Sequence, residues 1–247
     1  MNNGITLPDN ASHNEADNVN NLTIRERMYL RVIYHLLQQS EPVIAAHVTR
    51  WLNVTASTVT QTLQQLVARG FINRKGSITL TATGLALAET MVQQHYILEC
   101  FLSEIMGMSW HLVHHEALRL EQALSPTLEA HISALVSHAT TCPHGNLIPG
   151  RNVREQGFVR LDTVQGQGNF IIRRVAEEAE EQIDLLRYLQ GNLLVPGTTV
   201  YVLITSSLYG VTLRYGNREI SISPDIAMVL WGEYDTLEEE EHPDQVA

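Results

Sequence analysis

The chain has 247 residues, of which 44% are hydrophobic, and carries 16 Lys and Arg against 27 Asp and Glu, a formal net charge of −11 at pH 7. That length suits two or three small domains of ordinary globular composition. Cys100 and Cys142 cannot build a disulfide framework, and no apolar run approaches a membrane span or a secretory leader, so the expectation is a cytoplasmic protein with no membrane partner.

Residues 1–22 are rich in Asn, Asp and Ser, without apolar periodicity, and are expected to form a disordered tail. Thr23 can cap a helix reaching about residue 39, with Ile24, Met28, Leu30, Val32, Ile33, Leu36 and Leu37 as its apolar positions, before Glu41-Pro42 breaks it. A second helix spans about residues 43–51, and a tight turn at Asn53-Val54 leads into residues 55–70. There Thr55 is a good N-cap, Val59, Leu63, Leu66 and Val67 recur at helical spacing, and Gly70 stands where such a helix ends. The opposite face, Ser57, Thr58, Thr60, Gln61 and Gln64, is short, polar and uncharged, suited to base edges and phosphates. Two β-rich runs then flank a tip at residues 73–77 bearing Arg74 and Lys75. Helix, short turn, polar-faced helix and basic hairpin in that order read as a winged helix-turn-helix.

The acidic net charge does not oppose that reading. Between Ile24 and Gly84, Arg25, Arg27, Arg31, Arg50, Arg69, Arg74 and Lys75 face only Glu26 and Glu41. Screening limits reach to about 10 Å at 0.1 M salt, so the local patch decides phosphate affinity.

From Thr81 a long helix, about residues 83–105, has more apolar positions than one face can hold and must pack against other elements. Helices at about 110–124 and 126–139 follow, the latter with Ser125 as N-cap and Pro126 at its first position. Three helices with so little partner surface predict a homodimer interface, which would suit a palindromic double-stranded DNA operator. Residues 142–150 are turn chemistry. Beyond them come candidate strands at 158–161, 170–175, 199–205, 211–215 and 219–222, with a short helix near 183–190 and a tight turn at Gly216-Asn217. They suggest a small SH3-like barrel. The fold class is therefore mainly α with a small β domain. A tail occupies 1–22, a winged helix-turn-helix DNA-binding domain 23–84, and a helical metal-binding and dimerisation domain 85–145. A linker at 146–157, an SH3-like domain at 158–236 and an acidic tail at 237–247 complete the chain.

His95 and Glu99, four apart, share a helix face, and His114, Leu118 and Glu121 share another. Imidazole and carboxylate suit a divalent transition metal, although spacing alone favours an ordinary surface His–Glu pair. His47, His131 and His138 read as surface or core histidines, His111 and His115 form an i, i+4 pair without an assigned partner, and Cys142-Pro-His144 reads as a turn rather than a metal site.

Taken together the chain resembles the diphtheria-toxin-repressor family of metal-dependent transcriptional repressors, whose longer members carry an SH3-like domain, across about residues 23–233. The likeness is carried by Met28-Tyr-Leu-Arg-Val-Ile-Tyr34, Ser57-Thr-Val-Thr-Gln-Thr62, Leu80-Thr-Ala-Thr-Gly84, Gln94-His-Tyr-Ile-Leu-Glu99, Val113-His-His-Glu-Ala117 and Gly145-Asn-Leu-Ile-Pro-Gly150. The resemblance implies an ancillary metal site at His95, Glu99 and His114, completed from the SH3-like domain by Glu181 and Asp184. It implies a primary site at Met28, Leu118, Glu121 and Gln122, but Leu118 can offer only its backbone carbonyl and Gln122 stands where the family has His, which weakens that site. It places DNA contacts at Thr55, Ser57, Thr58, Thr60 and Gln61, with Arg74 and Lys75 on the wing. The expected function is a Mn²⁺- or Fe²⁺-dependent DNA-binding repressor of metal-homeostasis genes, not an enzyme. A metal-independent regulator of the same fold is the alternative. A metal-dependent hydrolase is a remote one, without a nucleophile motif, phosphate loop or paired-carboxylate signature to support it.

Overall fold

The computed structural model describes residues 21–38, 42–151 and 157–236. The expected N-terminal tail up to residue 20, Glu41 in the first helix break, residues 152–156 of the expected linker and the acidic tail lie outside the described residues. The chain divides into two compact units, residues 1–95 and 96–247.

The first unit holds α1 (Ile24–Leu37), α2 (Ala45–Leu52), α3 (Ala56–Ala68), β1 (Ile72–Lys75), β2 (Ser77–Leu80) and most of α4 (Ala82–Cys100). A capping box opens α1: the Thr23 hydroxyl accepts from the Glu26 amide, and the Glu26 carboxylate accepts from the Thr23 amide at 2.9 Å. Asn53 ends α2 at φ 50°, a left-handed conformation that Asn tolerates, so the chain turns directly into Thr55, the N-cap of α3. Val59, Leu63 and Leu66 are fully buried and join Tyr29, Leu30, Ile33, Val48 and Ile78 in one core. Val67 is exposed, contrary to the expected stripe. Eight residues beyond Val59, it has rotated about 80° off the buried line. Thr62 takes the inward place instead, its hydroxyl donating to the Thr58 carbonyl at 3.0 Å.

The wing is tighter than expected. Its strands pair from Ile72↔Leu80 to Lys75↔Ser77, leaving Gly76 alone at the turn. Asn73, Arg74 and Lys75 are therefore exposed strand residues rather than a loop tip. At the other end of α3, Arg69 Nη1 donates to both carboxylate oxygens of Glu26 at 2.7 Å, and the guanidinium lies 4.8 Å over the Phe71 ring. Burial alone would raise the Glu26 carboxyl, but the Thr23 amide and Arg69 hold it below its ordinary value. This contact fixes the C-terminal end of α3 to the start of α1. Glu26→Ala is expected to destabilise this unit by about 1–3 kcal/mol, because it leaves Arg69 and the Thr23 amide without their acceptor. Urea unfolding followed on Trp51 fluorescence checks this, and a loss below about 0.5 kcal/mol would place the pair among inert surface contacts.

In the second unit, α4 passes into a π-helical turn, Phe101–Ile105, where one continuous α-helix was expected. α5 (Val113–Leu120) and α6 (Pro126–Leu135) follow, both shorter than expected, with Ser125 capping α6 and Pro126 in its first turn as the sequence suggested. Then come β3 (Val159–Arg160), β4 (Gly168–Val175), α7 (Glu177–Glu180), α8 (Ile183–Gly191), β5 (Thr199–Ser206), β6 (Gly210–Tyr215), β7 (Arg218–Ile222), α9 (Pro224–Ala227) and β8 (Leu230–Thr236). The strands form one antiparallel sheet in the order β3-β8-β4-β5-β6-β7. The sequence reading had five strands and one short helix here. It missed β8, which runs between β3 and β4, and it missed the short helices α7 and α9. The β6–β7 turn falls at Gly216-Asn217 as expected, between Tyr215 and its partner Arg218. Phe170, Ile172, Leu186, Val202, Leu213 and Leu230 centre the core under the sheet. Among the described residues no helix is long and apolar enough to cross a membrane.

Candidate metal centre and nucleic-acid interface

Four side chains from four separate segments of the second unit converge in its interior. Glu99 comes from the last turn of α4, His114 from the first turn of α5, His144 from the turn after α6, and Glu180 from α7. All four are at 0% exposure. His114 Nδ1 lies 3.0 Å from Glu99 Oε1 and 3.0 Å from Glu180 Oε2, while His144 Nδ1 lies 3.1 Å from Glu180 Oε2 and 3.4 Å from Glu99 Oε2. Two imidazoles thus face two carboxylates, each carboxylate touching both rings.

The electrostatics follow from that packing. Burial works against a charged imidazole, but Glu180, Glu181 and Glu99 outweigh it at His114 and hold its pKa well above the usual histidine range. At His144 burial is likewise overcome by Glu180 and Glu99, which push its pKa up to about 10. Two buried carboxylates without compensating charge would be costly, and the same carboxylates favour the protonated form of both imidazoles, which offsets that cost. His144 is also fixed in orientation: its Nε2 donates to the Trp110 carbonyl at 3.3 Å, the Trp110 ring lies 4.6 Å away, and Trp110 Nε1 donates to the Pro143 carbonyl. With Nε2 so engaged, Nδ1 is the nitrogen turned to the carboxylates.

The local sequence explains the convergence. Glu99 is buried because α4 is apolar around most of its circumference. Gly145 sits at φ 89°, and a Cβ there would meet the Arg173 carbonyl at 1.9 Å, so only glycine lets the turn approach β4 closely enough to insert His144. The donor set suits a divalent cation: imidazole nitrogens and carboxylate oxygens of Glu99, His114 and Glu180 lie within 4.8 Å of one another. Glu99, His144 and the Cys142 sulfur form a second such group. Burial, then Glu99 and Glu180, push the Cys142 thiol well above its ordinary pKa.

The residues singled out from the sequence fare unequally. Glu99 and His114 are brought together. His95 is fully buried one turn before Glu99 on α4. Glu181 is peripheral, about 41% exposed and 3.7 Å from His114 Nε2. Asp184 points away: its side chain is 89% exposed and paired with Arg187 at 2.6 Å. Glu180 occupies the place assigned to this pair, because α7 ends one residue before Glu181 and turns Glu177 and Glu180, three apart, inward. Glu177 accepts from the Tyr96 hydroxyl at 2.8 Å. His144, taken for part of a plain turn, lies both in a turn and in the buried cluster. His111, left without a partner, contacts Gln190 Oε1 at 2.6 Å through Nδ1. His131 and His138 are exposed, as expected. Of the expected primary site, Met28 is half-buried in the first unit. In the second, Glu121 is half-buried and Gln122 is exposed with its amide nitrogen 3.5 Å from the Leu118 carbonyl.

On α3, Thr55, Ser57 and Gln61 are exposed and Thr58 and Thr60 half-buried. The Thr55 hydroxyl contacts those of Ser57 at 2.9 Å and Thr58 at 2.8 Å. The start of α3 therefore presents a cluster of hydroxyls, and Gln61 is exposed one turn beyond Ser57. Short neutral hydroxyls and a side-chain amide are groups that can hydrogen-bond phosphates or base edges.

Two family models match the chain. The iron-dependent repressor N-terminal DNA-binding domain covers residues 21–77, and the iron-dependent repressor metal-binding and dimerisation domain covers residues 81–150. The iron-dependent repressor IdeR of Mycobacterium leprae is 26% identical over 222 residues, 85% of this chain and 96% of that protein. Among solved structures, a manganese-dependent transcriptional repressor in complex with manganese superposes with a TM-score of 0.74 at 26% identity, over 85% of this chain and 99% of that one. The crystal structure of T. acidophilum IdeR gives 0.68 at 27% identity, over 87% of this chain and 100% of that one.

Proposed function

The chain belongs to the iron-dependent repressor family, and on that premise we propose that it is a metal-dependent transcriptional repressor. It acts in the cytoplasm as a homodimer on a palindromic DNA operator, with Mn²⁺ or Fe²⁺ as the activating ion. The relatives' names supply the iron and manganese. The observation that carries the reading within this chain is the buried pairing of Glu99 and Glu180 with His114 and His144.

A bound divalent ion would cancel both carboxylate charges and leave the imidazoles neutral. The chain's residues do the rest. Glu99 anchors the end of α4, His114 the start of α5, His144 the turn after α6, and Glu180 the short helix α7 that follows β4 in the sheet domain. Donors drawn from four segments complete a coordination shell only when those segments are assembled, so the ion favours the assembled state by its differential affinity. His95, buried one turn from Glu99, is a further donor in this reading, and Glu181 and Cys142 are peripheral ones. Met28, Leu118, Glu121 and Gln122 contribute little, because Leu118 has no side-chain donor and Gln122 is a solvent-exposed amide. The hydrolase reading is disfavoured by the same burial: a catalytic ion needs a position open to substrate, and the four central side chains offer no exposed face. DNA contacts fall to Thr55, Ser57, Thr58, Thr60 and Gln61, with Arg74 and Lys75 on phosphates.

The test is fluorescence anisotropy on promoter DNA in EDTA, in Mn²⁺ and anaerobically in Fe²⁺, at one salt concentration because phosphate contacts are salt-dependent. Tightening of about tenfold or more by one ion, roughly 1.4 kcal/mol of coupling, is expected. Equal affinity in all three favours the second reading, a metal-independent regulator, which the Leu118 and Gln122 positions motivate.

A further inference from the structure

We propose that Asn146 is a positioning residue of this centre, aiming Glu180 at the two imidazoles and thereby setting the affinity for metal; the proposal rests on the metal reading above. Asn146 is nearly buried, at 7% exposure, in a turn closed by the Thr141↔Leu147 bridge and by the Cys142 amide donating to the Asn146 carbonyl at 2.8 Å. Its side-chain nitrogen donates twice, to the Val175 carbonyl at 3.1 Å and to Glu180 Oε1 at 2.6 Å. Both partners can only accept, so the amide orientation is settled by chemistry: the nitrogen, not the oxygen, must stand there.

The anchoring is reciprocal. The Val175 amide donates to the His144 carbonyl at 2.8 Å, while the Asn146 amide returns a bond to the Val175 carbonyl. The turn that delivers His144 is thereby tied at two points to the end of β4, two residues before α7 begins. From that fixed seat Asn146 holds Oε1 of Glu180 and leaves Oε2 as the oxygen turned to His114 and His144. Without the amide, Glu180 has rotamers to choose among, and its contribution to a coordination shell is diluted over them. An outer residue that orients a ligand in this way is commonly worth about 10- to 100-fold in metal affinity.

The experiment uses the full chain, stripped of metal and titrated with Co²⁺, whose visible absorption reports both affinity and coordination, in four forms: wild type, Asn146→Asp, Glu180→Gln and the double variant. Asn146→Asp keeps the shape but replaces the donor by an acceptor facing Glu180. Its affinity is expected to fall about 10- to 100-fold with an altered Co²⁺ spectrum, and the same change in the Glu180→Gln background to cost less than threefold. An equal loss in both backgrounds overturns the proposal, since the amide would then act on the turn and not through Glu180. So does unchanged affinity. Should Asn146→Asp fail to fold, Asn146→Ser, which removes the reach to Glu180 without adding charge, is read by the same cycle. Absence of Co²⁺ binding by the wild type overturns the metal reading itself, and the proposal with it; intact wild-type binding with an insensitive Asn146 overturns the role of Asn146 alone.

Discussion

Replacing Glu99 by glutamine is expected to lower affinity for Mn²⁺ or Fe²⁺ by about 100-fold or more, beyond the usual cost of disturbing an outer residue. Glu99 is the one acidic side chain whose two oxygens are divided between the rings, Oε1 at 3.0 Å from His114 and Oε2 at 3.4 Å from His144. Glutamine keeps the length and removes the charge, and its amide nitrogen must point at one of two nitrogens that would otherwise coordinate. The metal-free protein suffers as well. Two buried imidazoles would share one carboxylate, so an imidazolium either loses its proton or stays uncompensated, a loss of about 1–3 kcal/mol from the second unit. Isothermal titration with Mn²⁺ and thermal melting of the metal-free protein read the two effects separately. Operator DNA anisotropy reads their consequence, and metal-induced tightening is expected to vanish. Glu121→Gln is the control, because Glu121 lies outside the buried cluster and its substitution is expected to leave Mn²⁺ affinity within about threefold. If the two variants bind Mn²⁺ equally well, the buried cluster is not the sensing site.

The contrast between those two glutamates marks where the sequence was informative. Thr23, Thr55 and Ser125 announce their helices because capping is a local interaction, and each caps as the sequence suggested. His95, Glu99 and His114 stand out because helical spacing makes neighbours of them or sets them on a definite face. Glu180 and His144 carry no such mark. The run Glu177-Glu-Ala-Glu-Glu-Gln-Ile-Asp184 offers five acids to an inward position, and a four-residue helix is too short for periodicity to choose between them. Tertiary packing chooses: Ala179 and Glu180 are buried, while Glu178 and Asp184 are exposed. His144 was hidden differently, because a proline and a glycine on either side make a turn, and a turn is what forms. That the turn also inserts His144 into the buried cluster depends on Gly145 packing against β4, a contact nearly thirty residues away in sequence. β8 escaped for the opposite reason to α7. Its Leu230-Trp-Gly-Glu-Tyr-Asp-Thr236 mixes acids and glycine into a strand whose Gly232 lies against the Ile171 carbonyl, where a Cβ would stand only 2.0 Å away, so the residue that looks like a strand breaker is a condition of the pairing.

The same cluster dictates how the protein answers to pH. Folding raises the pKa of both His114 and His144, the latter to about 10, against about 6.5 for an exposed imidazole. A group whose pKa is higher in the folded state binds its proton more tightly there, so its contribution to stability is complete below the unfolded value and is lost as pH rises through the folded one. Metal-free protein is therefore expected to melt at progressively lower temperature from about pH 6.5 upward to about pH 10. Deprotonation leaves Glu99 and Glu180 buried without compensating charge. Metal inverts this trend. Coordination needs neutral imidazoles, so binding near pH 7 must expel the protons that these carboxylates hold in place, and affinity must climb with pH over the window in which the apoprotein weakens. Titrating Mn²⁺ into the protein at pH 7 in buffers of different ionisation enthalpy counts those protons directly. Between one and two per ion are expected where His114 and His144 both coordinate, and His144→Gln is expected to reduce the release. Zero released protons, or a metal-free melting temperature flat across that range, would falsify the placement of protonated histidines against these carboxylates, and with it the idea that the ion enters by taking the place of their charge.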